Sequence, residues 1–133
     1  MSVHERAKKL EKGPIWEFLR SRIIEAENGE SIVEMPINDE IKQMYGTVHG
    51  GMIGTLIDMA MASAETSLMS NEENAVTVDL SVHYLSGAKE GTLIGKGRVI
   101  KKGRKMAFLE ADVWNENRLV AKGTASFMIV QKN

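Results

Sequence analysis

The sequence predicts an α+β domain in which one long helix packs on an antiparallel sheet. Three observations lead to this prediction. A helical period runs through residues 49–68, apolar and polar residues alternate in several later segments, and Asn28-Gly29 separates two apolar runs near the N-terminus. Each such element must bury one apolar face, and a single helix covered by a sheet satisfies this requirement.

The N-terminal segment, about residues 4–20, has helical spacing with a break at Gly13-Pro14. Glycine suits the end of a helix and proline suits the first turn of the next one. We expect Ile15, Phe18 and Leu19 to form the buried stripe of this segment.

Residues 22–27 and 31–37 are predicted as the two strands of a hairpin, because Asn28-Gly29 accepts the positive φ angles of a two-residue turn. Residues 38–47 are mostly polar or small and have no sustained period. They are predicted as a loop that leads into the long helix.

The long helix, residues 49–68, is predicted to have two different sides. One side is expected to face the core and carries Met52, Ile53, Leu56, Met59, Ala60 and Ser63. The other side carries Gly51, Gly54, Asp58, Ala62 and Glu65.

Four segments after the helix are predicted as consecutive strands of an antiparallel meander. Three of them alternate, with apolar positions at Val76, Val78, Leu80, Val82 and Tyr84, then Ala107, Leu109, Ala111 and Val113, then Leu119, Ala121, Ala125, Phe127 and Ile129. Residues 92–100 form a further strand, and turn residues occur at 87–91, 101–104 and 115–117.

Length and composition exclude several classes of protein. The 133 residues fit one domain, residues 1–133, and seventeen basic against eighteen acidic residues argue against a nucleic-acid partner. With no cysteine, the chain has no disulfide, thiolate zinc site or cysteine nucleophile. The charged N-terminus and the absence of a long apolar run predict a cytoplasmic protein that does not enter a membrane.

The most informative stretch begins at Gln43 and continues through His49-Gly50-Gly51 into the long helix. The first N–H groups of a helix have no partner within it, so Gly50 and Gly51 could donate to a carbonyl oxygen that gains negative charge. Alternatively, the two glycines only form a tight turn. His49 is better suited to a helix cap than to a base, and no second histidine at ligand spacing indicates a metal site.

Asp58 lies in the middle of the helix, where aspartate has poor helical propensity, so it is either functional or part of a solvated face together with Glu65. A basic turn could contact phosphates or could simply be solvated; it comprises Lys101, Lys102, Arg104 and Lys105. Four methionines could line an adaptable acyl pocket or could be core residues; they are Met52, Met59, Met61 and Met69.

His49-Gly50-Gly51 followed by Asp58 resembles the signature of hotdog-fold thioesterases, in the phenylacetic-acid-degradation branch. Further segments are similar to the later strands of these proteins: Val76-Thr77-Val78-Asp79-Leu80, the 101–105 turn followed by Ala107-Phe108, and Leu119-Val120-Ala121-Lys122-Gly123. The resemblance implies a hotdog fold, one central helix wrapped by a curved antiparallel sheet, and hydrolysis of acyl-coenzyme A with an aryl or medium-chain acyl group.

The resemblance also implies roles for individual residues. Asp58 would be the nucleophile or general base, and the Gly50 N–H would sit in the oxyanion hole. Gln43 would lie near the thioester, although it is one methylene longer than the asparagine of close relatives. Thr77 would orient the attacking water. His49 and Gly51 would contact the substrate, with His49 supporting the loop, and no metal or other cofactor would be needed.

Gly50 and Asp58 are eight residues apart on one helix, about 12 Å by axial rise. They therefore cannot flank the same carbonyl within one chain, and Asp58 is expected to act with Gly50 of a neighbouring subunit. The resemblance likewise implies homodimers with two shared sites, often assembled into tetramers.

Two other readings remain from the sequence. A hotdog dehydratase or hydratase would pair a catalytic histidine with an acidic residue in other motifs, which this sequence lacks. A non-catalytic acyl-coenzyme A sensor would keep the fold and the pocket without requiring Asp58.

Overall fold

The computed structural model describes residues 2–132. Its helical elements are α1 (Glu5–Lys8), a 3-10 turn (Lys9–Lys12), α2 (Pro14–Leu19), a second 3-10 turn (Asp39–Ile41) and the long helix α3 (Gly50–Thr66). Its strands are β1 (Arg22–Glu27), β2 (Glu30–Pro36), β3 (Glu73–Tyr84), β4 (Thr92–Lys102), β5 (Met106–Asn115) and β6 (Arg118–Gln131).

The N-terminal segment breaks at Gly13, as predicted, and Pro14 begins α2. The predicted buried stripe is only partly correct, because Leu19 is buried whereas Ile15 and Phe18 are exposed. Trp16 takes the second buried position. Since α2 has fewer than two full turns and starts anew after the break, its period does not continue that of the preceding segment.

The predicted hairpin is confirmed. Strands β1 and β2 pair antiparallel, and Asn28 and Gly29 have φ angles of 53° and 81°. These positive values match a two-residue turn that follows the twist of the strands. The loop predicted for residues 38–47 contains the short Asp39–Ile41 turn and a bridge between Lys42 and Val48.

All six strands form one antiparallel sheet in the order β1-β2-β4-β5-β6-β3. The predicted four-strand meander is wrong at its first strand, because β3 pairs with β6 and not with β4. Strand β4 is hydrogen-bonded to β2 on one side and to β5 on the other, so β3 cannot pair with β4 and pairs instead with the outer side of β6. Bulges in β1, β3, β4 and at the β5–β6 pair help to curve the sheet.

Helix α3 lies against the concave side of this sheet, at distances that require glycine on two strands. A Cβ at Gly97 would lie 2.4 Å from the Ala60 carbonyl oxygen, and a Cβ at Gly123 would lie 2.7 Å from Ile57. Ser31 Oγ also donates a hydrogen bond of 2.5 Å to the Ala60 carbonyl. The architecture is thus the α+β hotdog arrangement, with one central helix wrapped by a curved sheet.

The second side of α3 is less exposed than a solvated face would be. Asp58 and Ala62 are half-buried, and Glu65 is completely buried. The apolar side is core as predicted except for Met52, which is half-buried. Met59 and Met61 are buried core residues, whereas Met69 is largely buried and lines a surface pocket with Thr66 and Glu73. Within residues 2–132, no helix combines the length and apolar character needed to cross a bilayer.

Candidate active site

The N-terminus of α3 carries one free amide donor. His49 is the N-cap, and its Nδ1 accepts a hydrogen bond of 2.9 Å from the Gly51 N–H. His49 therefore carries its proton on Nε2 in this arrangement. The Gly50 N–H has no hydrogen-bond acceptor among residues 2–132. Of the two glycines expected as donors, only Gly50 offers an uncommitted N–H at the positive end of the helix dipole.

Tyr84, at the end of β3, holds this helix terminus. Its hydroxyl donates a hydrogen bond of 2.7 Å to the Gly50 carbonyl oxygen. A Cβ at Gly50 would lie 3.3 Å from the Tyr84 ring, and a Cβ at Gly54 would lie 3.5 Å from the hydroxyl. The sequence interpretation missed Tyr84 as a site residue. The glycines at i and i+4 were a signal for a close neighbour, although they do not reveal which residue it is.

Asp58 and Thr77 form the second polar pair. Thr77 Oγ1 donates a hydrogen bond of 2.9 Å to Asp58 Oδ1. Burial raises the pKa of Asp58 above its ordinary value, and the hydrogen bond from Thr77 partly opposes this rise. The carboxylate is therefore held in a defined position and has a greater affinity for a proton than a solvated aspartate. The sequence interpretation assigned Thr77 to orienting the attacking water; the structure shows its hydroxyl bonded to Asp58, and the role toward water stays a prediction.

A groove of about 450 Å³ runs along α3 and β3 between these two pairs. It is lined by Gly51, Gly54, Thr55, Asp58, Leu80, Val82 and Tyr84. Gly50 bonds to Tyr84 at one end of β3, and Asp58 bonds to Thr77 nearer its start. The two predicted catalytic groups of one chain are thus held on different turns of α3.

Gln43 is fixed within its own loop. Its Nε2 donates a hydrogen bond of 2.6 Å to Thr47 Oγ1, and its Oε1 accepts one of 3.3 Å from the Tyr45 N–H. The backbone closes the same turn, since the Gln43 N–H donates to the Thr47 carbonyl at 2.8 Å. The structure therefore places Gln43 just before the His49 cap, and its side-chain hydrogen bonds do not reach Asp58 or Gly50.

The basic turn lies at the opposite end of the sheet from Gly50 of the same chain. It joins β4 to β5 beside the start of β3, where Lys102 Nζ lies 3.5 Å from Glu73 Oε1. Lys101, Arg104 and Lys105 are exposed. Nothing in this arrangement brings the turn to Gly50 within one chain.

The family model described as "Thioesterase superfamily" matches residues 45–122, which is more than half of the chain. The chain belongs to the thioesterase superfamily. The matched region contains the helix cap, Asp58, Thr77 and Tyr84, and it ends within β6. The protein is accordingly a hydrolase of thioester bonds.

Individual relatives agree with this assignment. Acyl-coenzyme A thioesterase 13 of Homo sapiens is 33% identical over 129 residues, a match that covers 92% of this chain and 90% of the relative. A thioesterase family protein from Silicibacter pomeroyi has a TM-score of 0.91 at 25% identity, over 98% of this chain and 99% of the other.

A phenylacetic acid degradation-related protein from Ralstonia eutropha has the same fold. Its TM-score is 0.85 at 24% identity, and the match covers 93% of this chain and 99% of the other. The hotdog fold and the family that the sequence motifs suggested are confirmed by these comparisons.

Proposed function

We propose that the protein hydrolyses acyl-coenzyme A to the free acid and coenzyme A, with Asp58 as the catalytic carboxylate and the Gly50 N–H as the oxyanion donor. The observation that carries this proposal is the uncommitted Gly50 N–H at the start of α3, combined with a half-buried carboxylate positioned by Thr77. The similarity to acyl-coenzyme A thioesterase 13 supports the choice of acyl-coenzyme A.

The chemistry follows from these two groups. The Gly50 N–H would stabilise negative charge on the thioester oxygen as the carbonyl carbon is attacked. Asp58 would either remove a proton from the attacking water or attack directly to give a mixed anhydride that water then cleaves. Thr77 would position the carboxylate and the water. Because thiolate leaves readily and the donor is a backbone amide, the proposed reaction requires no metal or redox cofactor.

His49 and Gly51 would form the edge of the site. The bond from the Gly51 N–H to His49 Nδ1 fixes the cap, so that the neighbouring Gly50 N–H keeps its direction. His49 Nε2–H remains a donor for the substrate. Gln43 would brace the loop before the cap and face the thioester from there.

A complete site requires two subunits, because Gly50 and Asp58 of one chain are about 12 Å apart by helical rise. We place the contact at β3, whose outer edge has no partner among residues 2–132. The strand also exposes apolar side chains, namely Val76, Val78, Leu80 and Tyr84. An exposed apolar edge strand favours pairing with a second chain.

The register of this contact follows from the side-chain directions. Strand β3 has a bulge between Thr77 and Asp79, and the side chains of Thr77, Leu80 and Tyr84 share the face toward α3. Antiparallel pairing of two β3 strands about Ser81 would set Thr77 opposite Tyr84 of the partner subunit. Since Thr77 holds Asp58 and Tyr84 holds Gly50, this register would bring each Asp58 to the partner's Gly50. Further pairing of dimers into tetramers is compatible with this arrangement.

Release of free thiol from benzoyl-, phenylacetyl- and hexanoyl-coenzyme A tests the proposed activity. We expect turnover by the wild-type protein and a loss of roughly 10²–10⁴-fold in kcat for Asp58→Asn, because the variant lacks a base or nucleophile at this position. Circular dichroism confirms that the variant folds. Tight binding of every substrate without turnover by the wild type would contradict hydrolysis and indicate a sensor.

Mixing two inactive variants tests whether the site is shared. Gly50→Pro removes the proposed donor at a helical position where proline is tolerated, and Asp58→Asn removes the carboxylate. A mixed dimer would contain one intact site, so equal mixing after dissociation should restore about a quarter of the wild-type activity. Native mass spectrometry of the mixture verifies that hybrids form, because the two variants differ in mass. Hybrids without activity would exclude the shared site.

A further inference from the structure

Strand β3 carries two polar side chains, Asp79 and His83, that the proposed hydrolysis does not use. Asp79 precedes Leu80 and His83 precedes Tyr84, whose side chains face α3. Because successive side chains of a strand point to opposite faces, Asp79 and His83 both project from the convex face of the sheet. Both are exposed, and neither forms a hydrogen bond or ion pair with any of residues 2–132.

A row of charged residues crosses the convex face and ends at His83. Directly paired positions on β4, β5, β6 and β3 carry Lys96, Asp112, Lys122 and His83. The charges of the first three alternate, and Lys122 Nζ lies 2.5 Å from Asp112 Oδ1. Opposite charges at facing positions stabilise a sheet, so a strand added beyond His83 continues this pattern if it supplies an acidic residue.

The register proposed for the shared site brings an acidic residue to this position. In antiparallel pairing about Ser81, the residue two before Ser81 faces the residue two after it. Asp79 therefore lies opposite His83 of the partner subunit. That register was derived from Thr77 and Tyr84 on the side toward α3, whereas the row of charges lies on the convex side. Two different faces of β3 thus indicate the same alignment.

We propose that Asp79 pairs with the partner subunit's His83, twice in each dimer, and that these two pairs fix the register of the shared site. The inference rests on the proposed shared site and adds the residues that align it. Facing Cβ atoms of an antiparallel pair are about 5 Å apart, which allows an imidazole N–H to donate to a carboxylate. An imidazole keeps at least one N–H in either protonation state.

The apolar residues of β3 do not select one register by themselves. The side-chain period of a strand is two, so a shift by two residues keeps every side chain on its face. Such a shift moves the strands by roughly 7 Å and separates Asp58 from the partner's Gly50. It also sets Asp79 opposite Ser81 or Leu85 of the partner subunit, depending on its direction. Both polar pairs are then lost, so they favour the aligned register over its nearest alternatives.

A complementary pair of charge changes tests this contact. In Asp79→Lys alone, the new lysine faces His83 of the partner subunit beside Lys122, and in His83→Glu alone, the new glutamate faces Asp79 of the partner subunit. Each variant thus loses both attractive pairs when it associates with itself. In a hybrid of the two variants, the lysine faces the glutamate and the native Asp79–His83 pair remains. The hybrid should therefore be more stable than either parent dimer.

Native mass spectrometry of an equal mixture, after dissociation and reassociation, measures the share of hybrids. Random pairing gives about half hybrids. We expect roughly three quarters or more, because every facing pair is attractive only in the hybrid. Glu116→Lys mixed with Asn117→Glu is the matched control, since these variants carry the same charge changes on the exposed β5–β6 turn. The control mixture should give the random share.

This measurement separates the pair from the proposed hydrolysis, because it requires no turnover. An excess of hybrids supports the pair even if the wild type releases no thiol. A random share of hybrids, or a mixture without dimers while the wild type dimerises, would overturn the pair and leave hydrolysis unaffected. A monomeric wild type would overturn the pair together with the shared site.

Thiol release by the same mixtures tests the role in alignment. The hybrid should have a kcat/KM several-fold higher than either variant alone, because only its register brings Asp58 to the partner's Gly50. Circular dichroism verifies that both variants fold. Hybrids that form in excess but are no more active than the parent variants would show that the pair does not set the register of the site.

Discussion

The two edges of the sheet differ in how they are covered. At the β1 edge, Val3 forms a parallel bridge with Ala26, whose N–H and carbonyl bond to Ser2 and His4 at 3.0 and 2.7 Å. At the β3 edge, no segment of residues 2–132 pairs with the strand, and Val78 is 56% exposed. Among the described residues, one edge is thus protected by the N-terminal segment and the other is open, and the candidate site residues Thr77 and Tyr84 lie on the open edge.

We interpret this difference in terms of the proposed shared site, in which the open edge serves both assembly and catalysis. An unprotected apolar edge is a liability for a monomer, whereas it is useful when a second subunit must bring a catalytic group. If that interpretation is correct, matched changes at the two edges will have unequal effects.

A charge at the centre of each edge is the strongest way to test the comparison. Val78→Lys introduces a cation at the β3 bulge, and Ile24→Lys introduces one at the β1 bulge. We expect Val78→Lys to dissociate the proposed dimer and to lower kcat/KM on the order of 100-fold, because separated subunits cannot align the proposed reacting groups. Light scattering and thiol release measure both effects.

Ile24→Lys is the control for this experiment and should keep the assembly and most of the activity. If Val78→Lys is monomeric and fully active, the shared site at β3 is excluded. If both variants behave alike, the two edges are equivalent and the comparison fails.

Removal of one hydroxyl at the open edge should have a smaller effect. Tyr84→Phe keeps the ring against Gly50 and Gly54 but loses the 2.7 Å hydrogen bond to the Gly50 carbonyl. A loss of about 1 kcal/mol would lower kcat several-fold to tenfold while KM changes little, because the bond orients the oxyanion donor. Unchanged kcat in steady-state assays would show that Tyr84 only packs against the helix.

The pH dependence of the reaction should respond to Thr77. In the proposed reaction Asp58 acts in its ionised form, and burial already raises its pKa above the ordinary 3.8. Thr77→Val removes the hydrogen bond that favours the carboxylate, so the pKa should rise further and the acid limb of kcat/KM should move to higher pH. An acid limb that stays in place, or that moves to lower pH, would show that Thr77 does not control this carboxylate.

The smallest effect concerns how the free energy of unfolding depends on Glu65, a residue of α3 near Glu73 at the start of β3. The folded-state pKa of Glu65 is raised from 4.5 to about 7, so the folded protein binds this proton more tightly than the unfolded chain. The free energy of unfolding should therefore decrease as pH rises from 4.5 to about 7, by up to about 1.4 kcal/mol per pH unit. Glu65→Gln should remove this slope in urea titrations, and Glu25→Gln on β1 should keep it.

Local patterns determined most elements of the fold. The Asn28-Gly29 turn, the break at Gly13 and the long period of α3 were predicted because each depends on a few neighbouring residues. The position of β3 was predicted wrongly, because alternation identifies a strand but does not show which strand it pairs with. Pairing of β4 with β2, which is a contact between distant segments, decided that β3 lies at the far edge.

The candidate site likewise combines features that the sequence predicted with features that only contacts between distant segments decide. The sequence by itself supplied the candidate residues, since the glycines that begin α3, Asp58 and Thr77 were proposed from the family resemblance. Only the tertiary structure decided that Gly50 keeps the free N–H, that Tyr84 holds it and that Glu65 is buried. These features depend on α3 packing against β3, and such contacts between distant residues leave no period in the sequence.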